Sequence, residues 1–146
     1  MRTDLVLIDT SVWIFALRKP PIIEIKEKVD FLLKENRVAI CPLIILELLT
    51  GVKSKGAFKR LKSRLGALYQ IEINQEVWNN AYNLAFYLRQ RGLTIPSSDI
   101  IIATAAIYNK IPLLHADRHF DLIAENSDLK VESLIKLIEI KKVHTH

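Results

Sequence analysis

The sequence is short of the features that mark secreted, membrane-spanning or disordered chains. It has one cysteine, so no internal disulfide can form, and Cys41 lies in the apolar stretch VAICPL, which suits a buried thiol better than a nucleophile. No apolar run approaches the ~20 residues that a bilayer-spanning helix needs. In MRTDLVLIDT an acid interrupts the first apolar stretch and no small-residue cleavage site follows, so a secretory signal is not expected. Internal repeats, low-complexity tracts and Pro/Gly-rich linkers are lacking as well. With 146 residues, half of them hydrophobic, the chain can build one core and has no room for a second full domain. The expectation is one soluble domain over residues 1–146, in a reducing cytoplasm.

Charge is present and unevenly spread. The formal net charge is +5, which suits a polyanionic partner. From Lys53 to Arg64 the chain carries Lys53, Lys55, Lys59, Arg60, Lys62 and Arg64 without a single acid. Lys53, Lys55, Lys59 and Arg60 are the candidate contacts to phosphate.

The apolar pattern alternates between strands and helices. DLVLID (4–9) reads as a buried strand ending on an acid, and TSVWIFALRK as a helix capped by Thr10 or Ser11 and stopped by Pro20 and Pro21. Ile22, Ile25, Val29, Leu32 and Leu33 mark an amphipathic helix over 22–35, and RVAIC (37–41) a second strand. Pro42 and Gly51 bracket a short helix around Glu47. Helical spacing continues from Gly56 to Leu68, over 75–91 up to Gly92, and from Ser98 to Asn109. IEI (71–73) and IPLLHAD (111–117) read as strands, and LKVESLIKLIEI as one more strand with a closing helix. His144 and His146 read as a disordered terminus. This alternation predicts a three-layer α/β/α sandwich with a central, mainly parallel sheet. Ligands of such sheets bind beyond the carboxyl ends of the strands, at a topological switch point. Asp9 and Asp117 fall at two such ends.

Each of these acids has an ordinary explanation when taken singly. Asp9 precedes a helix and can cap it, Asp99 in SSDIIIATAA lies in a first helical turn near the positive end of the dipole, and Asp117 in HADRHFD can be a turn residue. Glu47 in PLIILELLTG is harder to explain, because it is mid-helix among aliphatic neighbours and an unpaired buried carboxylate costs several kcal/mol. Carboxylates converging on one crevice raise one another's pKa and need cations to stay ionised. All-oxygen ligands select hard ions, Mg²⁺ or Mn²⁺, which can hold a phosphodiester oxygen and draw a nucleophile from water. His115 and His119 flank Asp117, but a zinc pair at i, i+4 requires one continuous helix, and His115 belongs to the strand; both read as packing or loop residues. Trp13 and Trp78 read as core or dimer surface.

The motifs IDTSVW (8–13), LELLTGV (46–52), SSDIIIATAA (97–106) and HADRHFDLIA (115–124) together resemble the PIN-domain nucleases, and among them the compact VapC-like toxins of toxin–antitoxin pairs. The resemblance spans nearly the whole chain. It implies an acidic pocket for Mg²⁺ or Mn²⁺ in which Asp9, Glu47, Asp99 and Asp117 are the four acids, both catalytic and metal-binding. It further implies that Ser11 orients a ligand or water and that Asp121 gives outer support or caps a helix. The implied activity is endoribonuclease cleavage of RNA, with a small antitoxin laying a peptide across the groove and a homodimeric assembly. A nuclease of this fold that processes RNA without an antitoxin, and a non-catalytic RNA-binding or assembly module, are the alternatives. A phosphohydrolase of the haloacid dehalogenase type would require an aspartate where Ser11 stands.

Overall fold

The strand expected at 4–9 forms over its centre. In the computed structural model, which describes residues 4–144, β1 (Val6–Ile8) is the middle strand of a five-stranded sheet. The chain runs through α1 (Thr10–Leu17) and α2 (Ile23–Lys34) into β2 (Val38–Ile40), then through α3 (Pro42–Thr50) and α4 (Lys55–Gly66) to β3 (Tyr69–Gln70). It reverses through α5 (Gln75–Gln90) and α6 (Ser97–Asn109) to β4 (Leu113–His115), then α7 (Arg118–Glu125), β5 (Val131–Ser133) and α8 (Ile135–His144). The strand order is β3-β2-β1-β4-β5 and every pairing is parallel. Leu7 faces Ala39 on one side and Leu113 on the other. The expected three-layer α/β/α sandwich is the one observed.

Strands covered on both faces must be apolar, and the three central ones, β1, β2 and β4, are so up to His115 at the end of β4. Leu7, Ile8, Ile40, Leu113 and Leu114 are wholly excluded from solvent. The helices bury stripes at the predicted spacing: Ile25, Val29 and Leu32 from α2, and Val77, Ala81 and Leu88 from α5. Beyond α5, Gly92 takes φ +79°, a left-handed conformation that glycine adopts without strain. Among the described residues, no helix is long and apolar enough to cross a membrane.

Several boundaries depart from expectation. The short strand is Tyr69–Gln70 rather than 71–73; Ile71 donates its N–H to Ile40 O at 2.8 Å and then turns its side chain into the core. The strand expected over 111–117 stops at His115, because the Asp117 side chain caps a helix, α7, that apolar spacing over eight residues is too short to announce. The C-terminal helix continues to His144, so that position is helical rather than disordered; His146 lies outside the described residues.

The order of the sheet places a switch point between β1 and β4. From β1 the connections move outward to β2 and β3, and from β4 outward in the opposite direction to β5. The crossover helices that follow β1 and β4 therefore diverge and leave a crevice at their carboxyl ends. Asp9 and Asp117 stand at its two walls.

Candidate active site

Asp9 follows β1 directly and is 4% exposed. Its backbone N–H is held by Leu114 O at 2.9 Å, so its place is fixed by the sheet itself. Oδ2 accepts from the Ser11 backbone N–H at 3.0 Å and from Ser11 Oγ at 2.6 Å, which makes Asp9 the cap of α1. Ser11 Oγ in turn accepts the Ala116 N–H at 3.0 Å, tying the end of β1 to the end of β4. Burial raises the Asp9 pKa above 3.8; the Ser11 bonds oppose that rise and the Asp117 charge adds to it.

Asp99 sits in the first turn of α6, yet no side chain caps that helix. Its Oδ2 is instead 3.1 Å from His119 Nδ1. The same nitrogen is 3.2 Å from Asp117 Oδ1, and Asp117 caps α7 by accepting the His119 backbone N–H at 3.0 Å. One ligand atom each from Asp99, Asp117 and His119 lies within 4.8 Å of the others. Burial, and then the charges of Asp117 and Asp9, push the Asp99 pKa up to about 6, with His119 opposing. Among the described residues, no lysine or arginine pairs with Asp9, Glu47, Asp99 or Asp117. Carboxylates that repel one another, with no Lys or Arg among the described residues paired to them, can supply oxygen donors to a hard divalent cation.

Glu47 reaches the crevice differently from the other acids. It is half-buried on α3, and its Oε1 accepts from Thr10 Oγ1 at 2.7 Å, 37 residues away in sequence. The aliphatic neighbours that made it look misplaced divide between faces: Ile44 and Leu48 are buried, whereas Leu46 is exposed. Helix α3 packs on α1 and also touches α6, so the helix of Glu47 contacts both the helix that Asp9 caps and the helix of Asp99. Both Asp9 and Glu47 lie outside the close group formed by Asp99, Asp117 and His119, and Asp9 acts on Asp99 through its charge.

Behind the acids, His115 is fully buried at the end of β4. Its Nδ1 accepts the Asp117 N–H at 3.2 Å, so the ring proton belongs on Nε2, which is 3.0 Å from Asp121 Oδ1. Burial lowers its pKa, which agrees with a neutral ring that accepts at one nitrogen and donates at the other. His115 and Asp121 together hold the loop that presents Asp117. The reading of His115 as a packing residue agrees with this environment, whereas His119 is a packing or loop residue no longer: its ring stands between two acids. The i, i+4 spacing to His115 gives no sign of this, because the partners of His119 are Asp99, 20 residues upstream, and Asp117.

The basic run is exposed on the surface. Lys53 precedes α4, and Lys55, Lys59 and Arg60 project from it into solvent. Helix α4 packs on α3, the helix of Glu47. Trp13 is buried and donates from its indole N–H to Ile8 O at 3.1 Å, whereas Trp78 is 38% exposed.

The family model described as PIN domain matches residues 6–126. The chain belongs to the PIN domain family. The PIN match opens on the first residue of β1 and closes on Asn126, which caps the C-terminus of α7, so it encloses Asp9, Glu47, Asp99, Asp117 and His119. Among similar proteins, VapC ribonuclease Mb1587 of Mycobacterium bovis is 29% identical over 132 residues, covering 88% of this chain and 98% of its own. Ribonuclease VapC2 of Rickettsia felis is 27% identical over 134 residues, covering 84% and 97%. The PIN fold recurs in the structure of VapBC2 from Rickettsia felis bound to a DNA fragment from their promoter, with a TM-score of 0.73 at 24% identity over 88% of this chain and 98% of that one.

Proposed function

We propose that the protein is a Mg²⁺- or Mn²⁺-dependent endoribonuclease, formed as a single PIN nuclease domain and acting as the toxin of a toxin–antitoxin pair. The observation that carries this reading is the mutual repulsion of Asp9, Asp99 and Asp117 at the switch point, with no lysine or arginine among the described residues paired to them. Asp9, Glu47, Asp99 and Asp117 would hold the cation. Bound there, a hard divalent ion supplies positive charge to a phosphodiester oxygen and lowers the pKa of water toward that of a useful nucleophile.

The chain's own residues do the rest by position. Ser11 fixes the Asp9 carboxylate through Oδ2 and locks it to β4 through Ala116. His115 and Asp121 hold the loop of Asp117. Lys53, Lys55, Lys59 and Arg60, on and before the helix next to Glu47, would seat neighbouring phosphates of the strand. A homodimer is supported by Trp78, Tyr82 and Phe86, which recur every fourth residue on α5 and are 38%, 60% and 68% exposed. The names of the relatives, ribonucleases of the VapC type, support the substrate, and the VapB–VapC pairing in the R. felis structure supports an antitoxin partner in the same cytoplasm.

The test is cleavage of RNA by the purified protein in Mg²⁺ and in Mn²⁺. Asp9→Asn and Asp99→Asn should each reduce cleavage by at least ~100-fold with the fold intact, and chelation should abolish it. Cleavage by both variants at the parent's rate would overturn the proposal.

A further inference from the structure

We infer that His119 is a nitrogen ligand to the divalent cation held by Asp99 and Asp117, and that the site therefore selects Mn²⁺ and later transition ions over Mg²⁺. This rests on the nuclease reading above and specifies the metal that it needs.

Spacing is the first argument. His119 Nδ1 is 3.1 Å from Asp99 Oδ2 and 3.2 Å from Asp117 Oδ1. Two ligand atoms about 2.1 Å from one ion and at right angles to each other are about 3.0 Å apart. The two separations from His119 Nδ1 already match those of neighbouring positions around a six-coordinate ion, and one ligand atom from each of the three residues lies within 4.8 Å of the others.

Rigidity is the second. The backbone that carries the imidazole is held in place, because the His119 N–H is bonded to Asp117 Oδ1 at 3.0 Å in the first turn of α7. The next residue, Phe120, is fully buried and packs its ring on His115 at 5.4 Å between centroids. The first turn of α7 is thus anchored on the core. The ring of His119 stays 39% exposed, which leaves it room to turn a lone pair toward an ion in place of its hydrogen bonds.

Chemistry is the third. A site of carboxylates alone binds Mg²⁺ and Mn²⁺ by charge, whereas one imidazole adds a donor that Mg²⁺ uses poorly and that manganese, cobalt and zinc use increasingly well. Removing that donor should alter the ratio between metals more than the affinity for Mg²⁺.

Calorimetric titration of the full chain with MgCl₂, MnCl₂ and CoCl₂ tests this, together with the visible absorption spectrum of bound Co²⁺. Parent protein should bind Mn²⁺ and Co²⁺ at least ~10-fold more tightly than Mg²⁺. His119→Asn keeps a hydrogen-bond donor near the carboxylates but supplies a poor ligand; it should lose ~10- to 100-fold in Mn²⁺ and Co²⁺ affinity, change Mg²⁺ affinity by less than ~3-fold, and shift the Co²⁺ spectrum. His119→Ala should behave likewise, and circular dichroism of both variants reports the fold. An unchanged Mn²⁺ to Mg²⁺ ratio with an unchanged Co²⁺ spectrum in either folded variant would overturn the ligand assignment and leave the nuclease reading standing. Failure of the parent to bind any of the three ions would overturn both.

Discussion

The Ser11 hydroxyl accepts the Ala116 backbone N–H at 3.0 Å, and beyond the ladder bond from the Asp9 N–H to Leu114 O this hydroxyl oxygen extends the tie between the ends of the two central strands across the mouth of the crevice. The same oxygen donates to Asp9 Oδ2 at 2.6 Å, so one side chain sets both the width of the crevice and the orientation of its most buried acid. Ser11→Ala removes both bonds and leaves a half-buried amide without its partner. The expected cost is about 1–3 kcal/mol, read as a fall of several degrees in Tm, with RNA cleavage reduced by more than the loss of folded protein explains. Ser11→Thr, which retains the hydroxyl, should recover most of both. An unchanged Tm in Ser11→Ala would mean that the bond does not brace the strands.

The acids make the metal-free protein sensitive to pH. Burial and the neighbouring charges push the Asp99 pKa from 3.8 up to about 6 in the folded protein, so its contribution to stability is full below the lower value and is lost as pH rises through the higher one. His115 acts with opposite sign, since its lowered pKa means that charging the buried ring destabilises the fold as pH falls below 6.5. The two are separated by comparison with Asp99→Asn. That variant should gain stability relative to the parent between pH 4 and pH 6, by up to about 3 kcal/mol, and hold the gain above. Chemical denaturation in EDTA at several pH values measures it, and Mn²⁺ should restore the parent but not the variant. A difference between the two proteins that stays flat with pH would contradict the assignment.

Glu47→Gln keeps an amide oxygen that can still accept from Thr10 while removing the charge. Tm should move by less than ~1 kcal/mol equivalent, because the bond to Thr10 survives, and divalent-ion affinity should fall by ~10-fold or more. Metal affinity equal to the parent's would remove Glu47 from the cation site and leave it as a tie between α3 and α1.

Helix α4 offers a test of substrate binding that spares the acids. Lys55, Lys59 and Arg60 are exposed, so Lys55→Glu, Lys59→Glu and Arg60→Glu in combination should leave Tm nearly unchanged. Binding of single-stranded RNA to a cleavage-deficient background should weaken, and its salt dependence should flatten by about 0.7 in log–log slope for each phosphate that is no longer neutralised. Unaltered affinity and slope would place the RNA on another face.

Much of this site was legible because its chemistry lies at strand ends. Asp9 ends an unmistakable apolar run, and its capping of α1, seen as an ordinary explanation, coexists with its position in the crevice rather than competing with it. Asp117 likewise caps α7 and still faces Asp99 through His119. Glu47 pointed to the site for a reason only partly sound. It is half-buried and bonded to Thr10, so it is not the stranded charge that its neighbours suggested. Helix α7 and His119 were not legible, since eight residues carry too little periodicity and the meeting of His119 with Asp99 depends on how α6 and α7 pack. Tertiary packing, unlike strand polarity, leaves no local mark.

Both rims of the sheet are built to refuse another strand. On one side β3 is only two residues long, and Gln70 folds its amide back onto the Leu65 and Leu68 carbonyls at 3.0 Å. On the other, β5 is three residues long and carries Glu132, paired with Lys28 at 3.2 Å. Short, charged or self-occupied edges deny a neighbouring chain the ladder on which strand-to-strand polymerisation grows. Copies of this protein crowded together are thereby kept from joining through open backbone that would accept any extended segment, and contact between them is left to side chains, whose shape selects the partner.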